Sequence, residues 1–344
     1  MVDNEVVADY VIKGAGAAGM AFADSMFTHG DATMVLVDRH DRPGGHWNDV
    51  YPFVRLHQPS ASYGVNSTDL GAGSLDHDGL NAGYHELASG HEILSHYDLV
   101  LRHRLLPSGR VRFFPMSEVS DDGVITSLLS GAQQRVEARR FVDATHSRMQ
   151  VPSMVRPSYS IGADVACVPL NELPRVAGQF DEFVVIGAGK TGMDACIWLL
   201  GNGADPDHIR WIVSRDSWVL DRGNVQPGDE FFAALCKSIA DQAECAALAT
   251  SPDDLFVRLE AAGELRRIDP EVTPEAYHCA ILSDGELAQL RRIRNVVRLG
   301  RVAAINSAEI VLDRGTIPHQ SDMPAHRLFG GRHPRPSIQA CVQR

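Results

Sequence analysis

Two hexapeptides in this chain have the residue types and spacing of a phosphate-cradling turn. They are Gly14-Ala15-Gly16-Ala17-Ala18-Gly19 and Gly187-Ala188-Gly189-Lys190-Thr191-Gly192. In such a turn the first glycine permits the bend, the second lets the backbone approach a pyrophosphate, and the third lets helix pack closely on strand. The pyrophosphate rests on free amides at the positive end of the helix. Gly14, Gly16, Ala17, Ala18 and Gly19 are therefore candidate ligands of one dinucleotide. Gly187, Gly189, Lys190, Thr191 and Gly192 are candidate ligands of a second. A chain with two such sites can pass electrons between two cofactors.

The residues around the turns separate them. A ribose-holding acid is expected at the end of the strand after the first turn, and Asp38 stands there with Arg39 beside it. Lys13, just before the first glycine, is an unusual strand residue that either reaches a phosphate or caps a solvated strand end. In the second copy the strand ends at Val213-Ser214-Arg215, with no acid in the corresponding place. An arginine there can bind a 2′-phosphate through charge-assisted bonds, which points to NADPH over NADH. The competing reading is a surface arginine paired with Asp216.

Strand-turn-helix elements frame both turns. Ala8–Ile12 reads as a buried strand, Ala17–Phe27 as a small-residue helix and Thr33–Val37 as the next strand, giving a βαβ unit. From Pro43 to about Gly90 the composition predicts long loops around a site. Residues 110–115, 124–129 and 135–138 read as a meander, and 141–145 as another buried strand. The proline-rich stretch 151–174 reads as a linker. The second unit opens with Phe183–Ile186, a helix over 191–200 and a strand over 209–213. Helices follow over 231–248 and 252–265, and the capping box Ser283-Asp284-Gly285-Glu286 starts another, to about Arg294. Short strands are expected over 296–299, 302–305 and 309–312. The predicted fold is α/β: two Rossmann-like dinucleotide-binding domains with parallel sheets, plus the meander. The predicted domains are 1–150 and 175–317, followed by a loose tail over 318–344.

Composition narrows the function classes. The 344 residues carry a formal charge of −12, which disfavours nucleic acid and anionic membrane as partners. No apolar run is long enough to span a bilayer, and the acidic N-terminus is wrong for a signal peptide. The six cysteines form no C-x-x-C. A reduced cytoplasmic protein without disulfides or a metal site is expected.

The first turn, together with Arg42-Pro43-Gly44-Gly45-His46-Trp47 and Tyr51-Pro52, resembles the start of two-dinucleotide flavoproteins of the flavin-containing and Baeyer-Villiger monooxygenase type. The resemblance implies that Gly14, Gly16, Gly19, Asp38, Gly44, Gly45 and Trp47 bind FAD. It also implies that the second turn binds the nicotinamide dinucleotide, and that Asp143-Ala144-Thr145 is the crossing strand before the inserted domain. There are departures. His146 follows where the family often has glycine, the Phe-x-Gly-x-x-x-His signature is not found between His146 and Phe183, and the tail has no Gly-Asp that meets the flavin phosphates.

The expected function is an FAD-dependent oxidoreductase taking hydride from NADPH, a monooxygenase or oxidase acting on a small organic substrate and O2. The cofactors would carry the chemistry, and His46, Arg55 and His57 are the candidate catalytic side chains. A dithiol reductase needs two neighbouring thiols and is disfavoured by the missing C-x-x-C. A reductase for a protein acceptor, and a degenerate non-catalytic nucleotide-binding flavoprotein, stay open as alternatives.

Overall fold

The computed structural model describes residues 6–146, 152–318 and 337–341. The chain divides into two compact units: residues 1–74 with 86–150, and residues 75–85 with 151–344.

In the first unit, strand β1 (Val6–Lys13) leads through the first glycine turn into helix α1 (Ala17–His29) and then strand β2 (Met34–Val37). Val11, Ile12 and all four β2 residues are buried, as expected of a parallel sheet covered on both faces. Strands pair in the order 111–114, β2, β1, 133–143, 124–127, 117–119, parallel through the first four and antiparallel in the meander. The core joins Ile12, Met20, Leu36, Ile93 and Leu101, and burying each such side chain is worth ~1.5–3 kcal/mol. Two expected strands over 135–138 and 141–145 are one, Gln133–Asp143, because exposed Arg139 and Arg140 interrupt the hydrophobic pattern without interrupting the ladder. Helix α2 (Gly90–Leu99) lies where loop was expected at its start. Its signal is in the sequence, since Ser89 and Glu92 form a complete capping box.

In the second unit, strand β3 (Glu182–Ile186), the second glycine turn, helix α3 (Lys190–Gly201) and strand β4 (Ile209–Ile212) repeat the plan. A long excursion with helices Asp229–Leu248 and Pro252–Ala261 and a small sheet follows. The chain returns through helix α4 (Asp284–Leu290) to strand β5 (Asn295–Val297), parallel to β4. The α/β class with parallel sheets is thus present in both units.

Two expectations are corrected. The tail is not loose throughout: strand β6 (Ser337–Cys341) pairs in parallel with β3 and with Cys167–Val168, a long-range pairing that no local pattern announces. The rest of the tail, 319–336 and 342–344, lies outside the described residues. Nor are all cysteines free. Cys196, Cys236, Cys245 and Cys279 are, but Cys167 is disulfide-bonded, a pairing that spacing along the chain cannot reveal. Among the described residues, no helix is long and apolar enough to cross a membrane, and no group of three or more His, Cys, Asp or Glu side chains could hold a metal ion.

Candidate dinucleotide sites

The two glycine turns have one geometry. Gly14 has φ +96° and Gly187 φ +128°, conformations that favour glycine. A Cβ on Gly19 would collide with the Gly14 carbonyl oxygen, and one on Gly192 with that of Gly187, so both third glycines bring helix onto strand. Gly16 and Gly189 occupy the N-caps of α1 and α3 without any side-chain cap. The first-turn amides of these helices therefore face no capping side chain. Helices α2 and α4, by contrast, each start with a full capping box, from Ser89 and Ser283.

Around the first turn the backbone closes tightly. Gly44 N donates to Ala15 O at 2.8 Å. A Cβ on Gly45 would lie 2.9 Å from the Gly16 Cα, so Gly44-Gly45 can cross the turn only as glycines. Asp38 is 6% exposed. Its Oδ2 accepts from Ala15 N at 2.6 Å, and its Oδ1 accepts from His40 N at 2.8 Å. The His40 ring lies between two carboxylates, Nδ1 at 2.9 Å from Asp38 and Nε2 at 2.8 Å from Asp49. The Asp38 bond is the main cause that raises the His40 pKa to about 8, against the opposing effect of burial.

The other predicted residues of this unit divide. Trp47 packs against the core and its ring meets His46 at 5.2 Å. Burial pushes the His46 pKa down, so its imidazole is neutral near pH 7. Arg39 turns away to an exposed ion pair with Glu118 at 3.1 Å. Lys13 stands opposite Asp143 in the β-ladder. Arg55 is exposed and gives its guanidinium to Leu87 O at 2.9 Å, near the start of α2. His57 is half-buried in the adjoining loop.

In the second unit Lys190 is drawn to Asp194 one helical turn on, and lies 3.9 Å from Glu286 of the α4 capping box. Glu286 in turn pairs at 2.5 Å with Arg222, which is 1% exposed. The glycine turn is thereby linked to α4 by partly buried charge. Arg215 is exposed. Its suggested partner Asp216 is engaged elsewhere: Arg298 donates to both Asp216 oxygens at 2.8 and 3.1 Å, and also to Asp269 at 2.9 Å. Arg298 is missing from the sequence-based candidates because it follows β5, far along the chain.

A cavity of about 320 Å³ opens at this place. Ala188 of the glycine turn, Trp211, Val213, Asp216, Arg294 and Arg298 are among its walls. The volume is at the lower end of small-molecule pockets, roughly 300–1,000 Å³. Trp211 is itself fixed to the turn, its Nε1 donating to Gly187 O at 2.7 Å.

No family model matches the chain. It is 52% identical over 310 residues to uncharacterized proteins of Mycobacterium bovis and Mycobacterium tuberculosis. The match covers 90% of this chain but 58% of theirs, so the chain spans little more than half the length of these relatives. Among solved structures, an oxidized steroid monooxygenase bound to NADP matches with TM-score 0.57 and 18% identity, over 98% of this chain and 71% of that one. A cyclohexanone monooxygenase from Rhodococcus bound to NADP+ matches with TM-score 0.52 and 17% identity, over 98% and 71%. A flavin-containing monooxygenase from Stenotrophomonas maltophilia matches with TM-score 0.50 and 15% identity, over 97% and 78%. At these identities the likeness is one of fold: the chain has the α/β fold of these monooxygenases.

Proposed function

We propose that this chain is an FAD-dependent oxidoreductase that takes hydride from NADPH, a monooxygenase on a small organic substrate with O2. The observation that carries the reading is the pair of glycine turns, alike in backbone yet different in the side chain that meets the ribose. The first offers a buried acid, Asp38, uncapped helix amides and the Gly44-Gly45 crossing, a cradle a Cβ would fill. These fit a dinucleotide such as FAD, held by Gly14, Gly16, Ala17, Ala18, Gly19, Asp38, Gly44, Gly45 and Trp47. The second offers uncapped amides and a cavity of small-molecule size, with Val213 in the place of the acid and arginines beside it. These fit NADPH, held by Gly187, Gly189, Lys190, Thr191, Gly192 and Arg215. The resemblance in sequence and the fold shared with flavin monooxygenases support the same assignment.

Bound flavin supplies hydride acceptance and reaction with O2. The protein's own part is to hold and orient. The backbone amides of the turns would hold the pyrophosphates, Asp38 would accept from a ribose, and the Gly44–Gly45 segment crosses the first turn. His46, which follows Gly45 and whose pKa burial pushes down, is the candidate to accept a proton at a ring nitrogen. Arg55 and His57 stand further along the same loop as candidates for substrate orientation.

The test is the visible spectrum of the purified protein, as isolated and after incubation with FAD. Oxidised-flavin bands that remain after desalting support the proposal, and oxygen uptake without matching peroxide release would make it a monooxygenase. A colourless protein that takes up no FAD rejects it in favour of a non-catalytic nucleotide-binding protein.

A further inference from the structure

Helix Asp229–Leu248 of the second unit carries its polarity against the usual pattern. A surface helix turns an apolar stripe inward and polar residues outward. Here Ser238 is buried, its Oγ donating to Glu264 Oε2 at 2.6 Å, and Gln242 Nε2 donates to the same oxygen at 2.9 Å. Glu264 is buried too, so polar bonds hold much of the inner side. Phe231, against the His85 ring at 5.7 Å, and buried Cys245 complete it. The opposite side is apolar and faces solvent. Phe232 is 64% exposed and Ile239 60%, and Cys236 and Ala243 are exposed at the same helical spacing. A contiguous exposed stripe of this kind marks a surface that meets a partner.

The stripe is graded along its length. Its N-terminal half carries the large side chains Phe232, Leu235 and Ile239, and its C-terminal half carries Ala243, Ala246 and Ala247. A bilayer gains nothing from this grading, and Lys237 is the one cation among four acids in the helix, which is wrong for an anionic membrane surface. A second copy of the same helix, running antiparallel, does gain from it, because large residues then meet small ones and interdigitate. A pairing centred near residue 241 sets Ile239 against Ala243 and Leu235 against Ala247. Charge selects the same arrangement. Lys237 and Glu244 are both exposed and stand seven residues apart on one edge of the stripe. Charges that flank a helical seam set its partner and orientation, and this pairing brings Lys237 of each copy level with Glu244 of the other.

We propose that this face joins two copies of the chain about a two-fold axis, each presenting the same stripe to the other. Lys237 then serves both Asp241 of its own helix and Glu244 of the second copy. The helix is ~30 Å long and ~10 Å across, so the stripe offers ~300 Å² per copy, against ~800 Å² in a standard interface. The dimer is accordingly weak, forming at micromolar concentration or above. It rests on no assignment of either dinucleotide.

Sedimentation velocity from ~1 to ~300 μM tests this on the chain without added cofactor. Wild type is expected to pass from monomer to dimer across that range. Ile239→Glu should weaken association at least tenfold. Glu244→Lys, which sets two lysines side by side, should weaken it at least threefold. Adding Lys237→Glu to that variant swaps the two charges and should restore the wild-type value to within twofold, a recovery that a merely structural defect would not give. Circular dichroism confirms the fold of each variant. Wild type that stays monomeric throughout overturns the proposal, as does Ile239→Glu that associates like wild type or a double variant no better than Glu244→Lys alone. Monomer that instead floats with phosphatidylcholine vesicles overturns it in favour of a lipid surface.

Discussion

Val213 stands in the second glycine unit where Asp38 stands in the first. The correspondence follows from the hydrogen bonds that open each turn, Gly14 N to Val37 O at 2.8 Å and Gly187 N to Ile212 O at 3.0 Å, since each residue comes next along its strand. One unit thus has a carboxylate at this place and the other an apolar side chain beside arginines. A repeated backbone carries two different chemistries at this place, which fits the proposed binding of two different dinucleotides.

Asp38→Ala should remove the first of these chemistries. The flavin-to-protein absorbance ratio is expected to fall at least tenfold, about 1.4 kcal/mol or more. The same change orphans the buried Ala15 amide and should lower global stability by ~1–3 kcal/mol, read by urea unfolding. Unchanged flavin content in a folded variant would remove Asp38 from the site.

Gly192→Val places bulk where even a Cβ meets the Gly187 carbonyl. It should abolish NADPH binding while leaving flavin content near wild type, because the affected packing lies wholly in the second unit. Fluorescence quenching by NADPH and the visible spectrum, measured on one sample, check both halves. Loss of flavin together with NADPH in a folded variant counts against separate sites.

His40 makes stability depend on pH. Its value of about 8 lies above the ordinary 6.5, so the stabilisation is fully present below pH 6.5 and is lost as pH rises through 8. The loss should amount to ~1–2 kcal/mol after allowing for partial exposure. Urea unfolding at pH 6 and pH 9 should show this difference in wild type and little of it in His40→Gln. A wild type equally stable at both values would show that the Asp38–His40–Asp49 bridge is not held in solution.

Arg215→Ala should weaken NADPH about tenfold, the scale of one charge-assisted contact at ~1.5–3 kcal/mol discounted for exposure. NADH should change less than twofold. Steady-state KM values for the two nucleotides decide it, and equal losses would remove the case for a phosphate contact at Arg215.

Much of this was legible locally. Both glycine turns, the strands before them and the helix after each follow from residues within a few positions of one another, and Ser283-Asp284-Gly285-Glu286 announces α4 outright. What was not legible depends on distant partners. Arg298 meets Asp216 only because β5 lies beside β4 after a long excursion. Strand β6 forms only by adding to β3. Cys167 is cross-linked despite standing alone in its stretch of sequence. The segment 75–85 reads as loop, yet it joins the second unit, where Asn81 accepts from Arg222 and Leu80 O accepts from Ser283. In each case the local pattern is weak, and strand β6, Asn81 and Leu80 meet partners more than a hundred residues away.

Hydride is proposed to pass from nicotinamide to flavin, and anaerobic titration of the FAD-loaded protein with NADPH probes that transfer. The oxidised-flavin bands should bleach with stoichiometric NADPH, and more slowly with NADH. Flavin that stays oxidised under excess NADPH, in protein shown to bind both nucleotides, would contradict it.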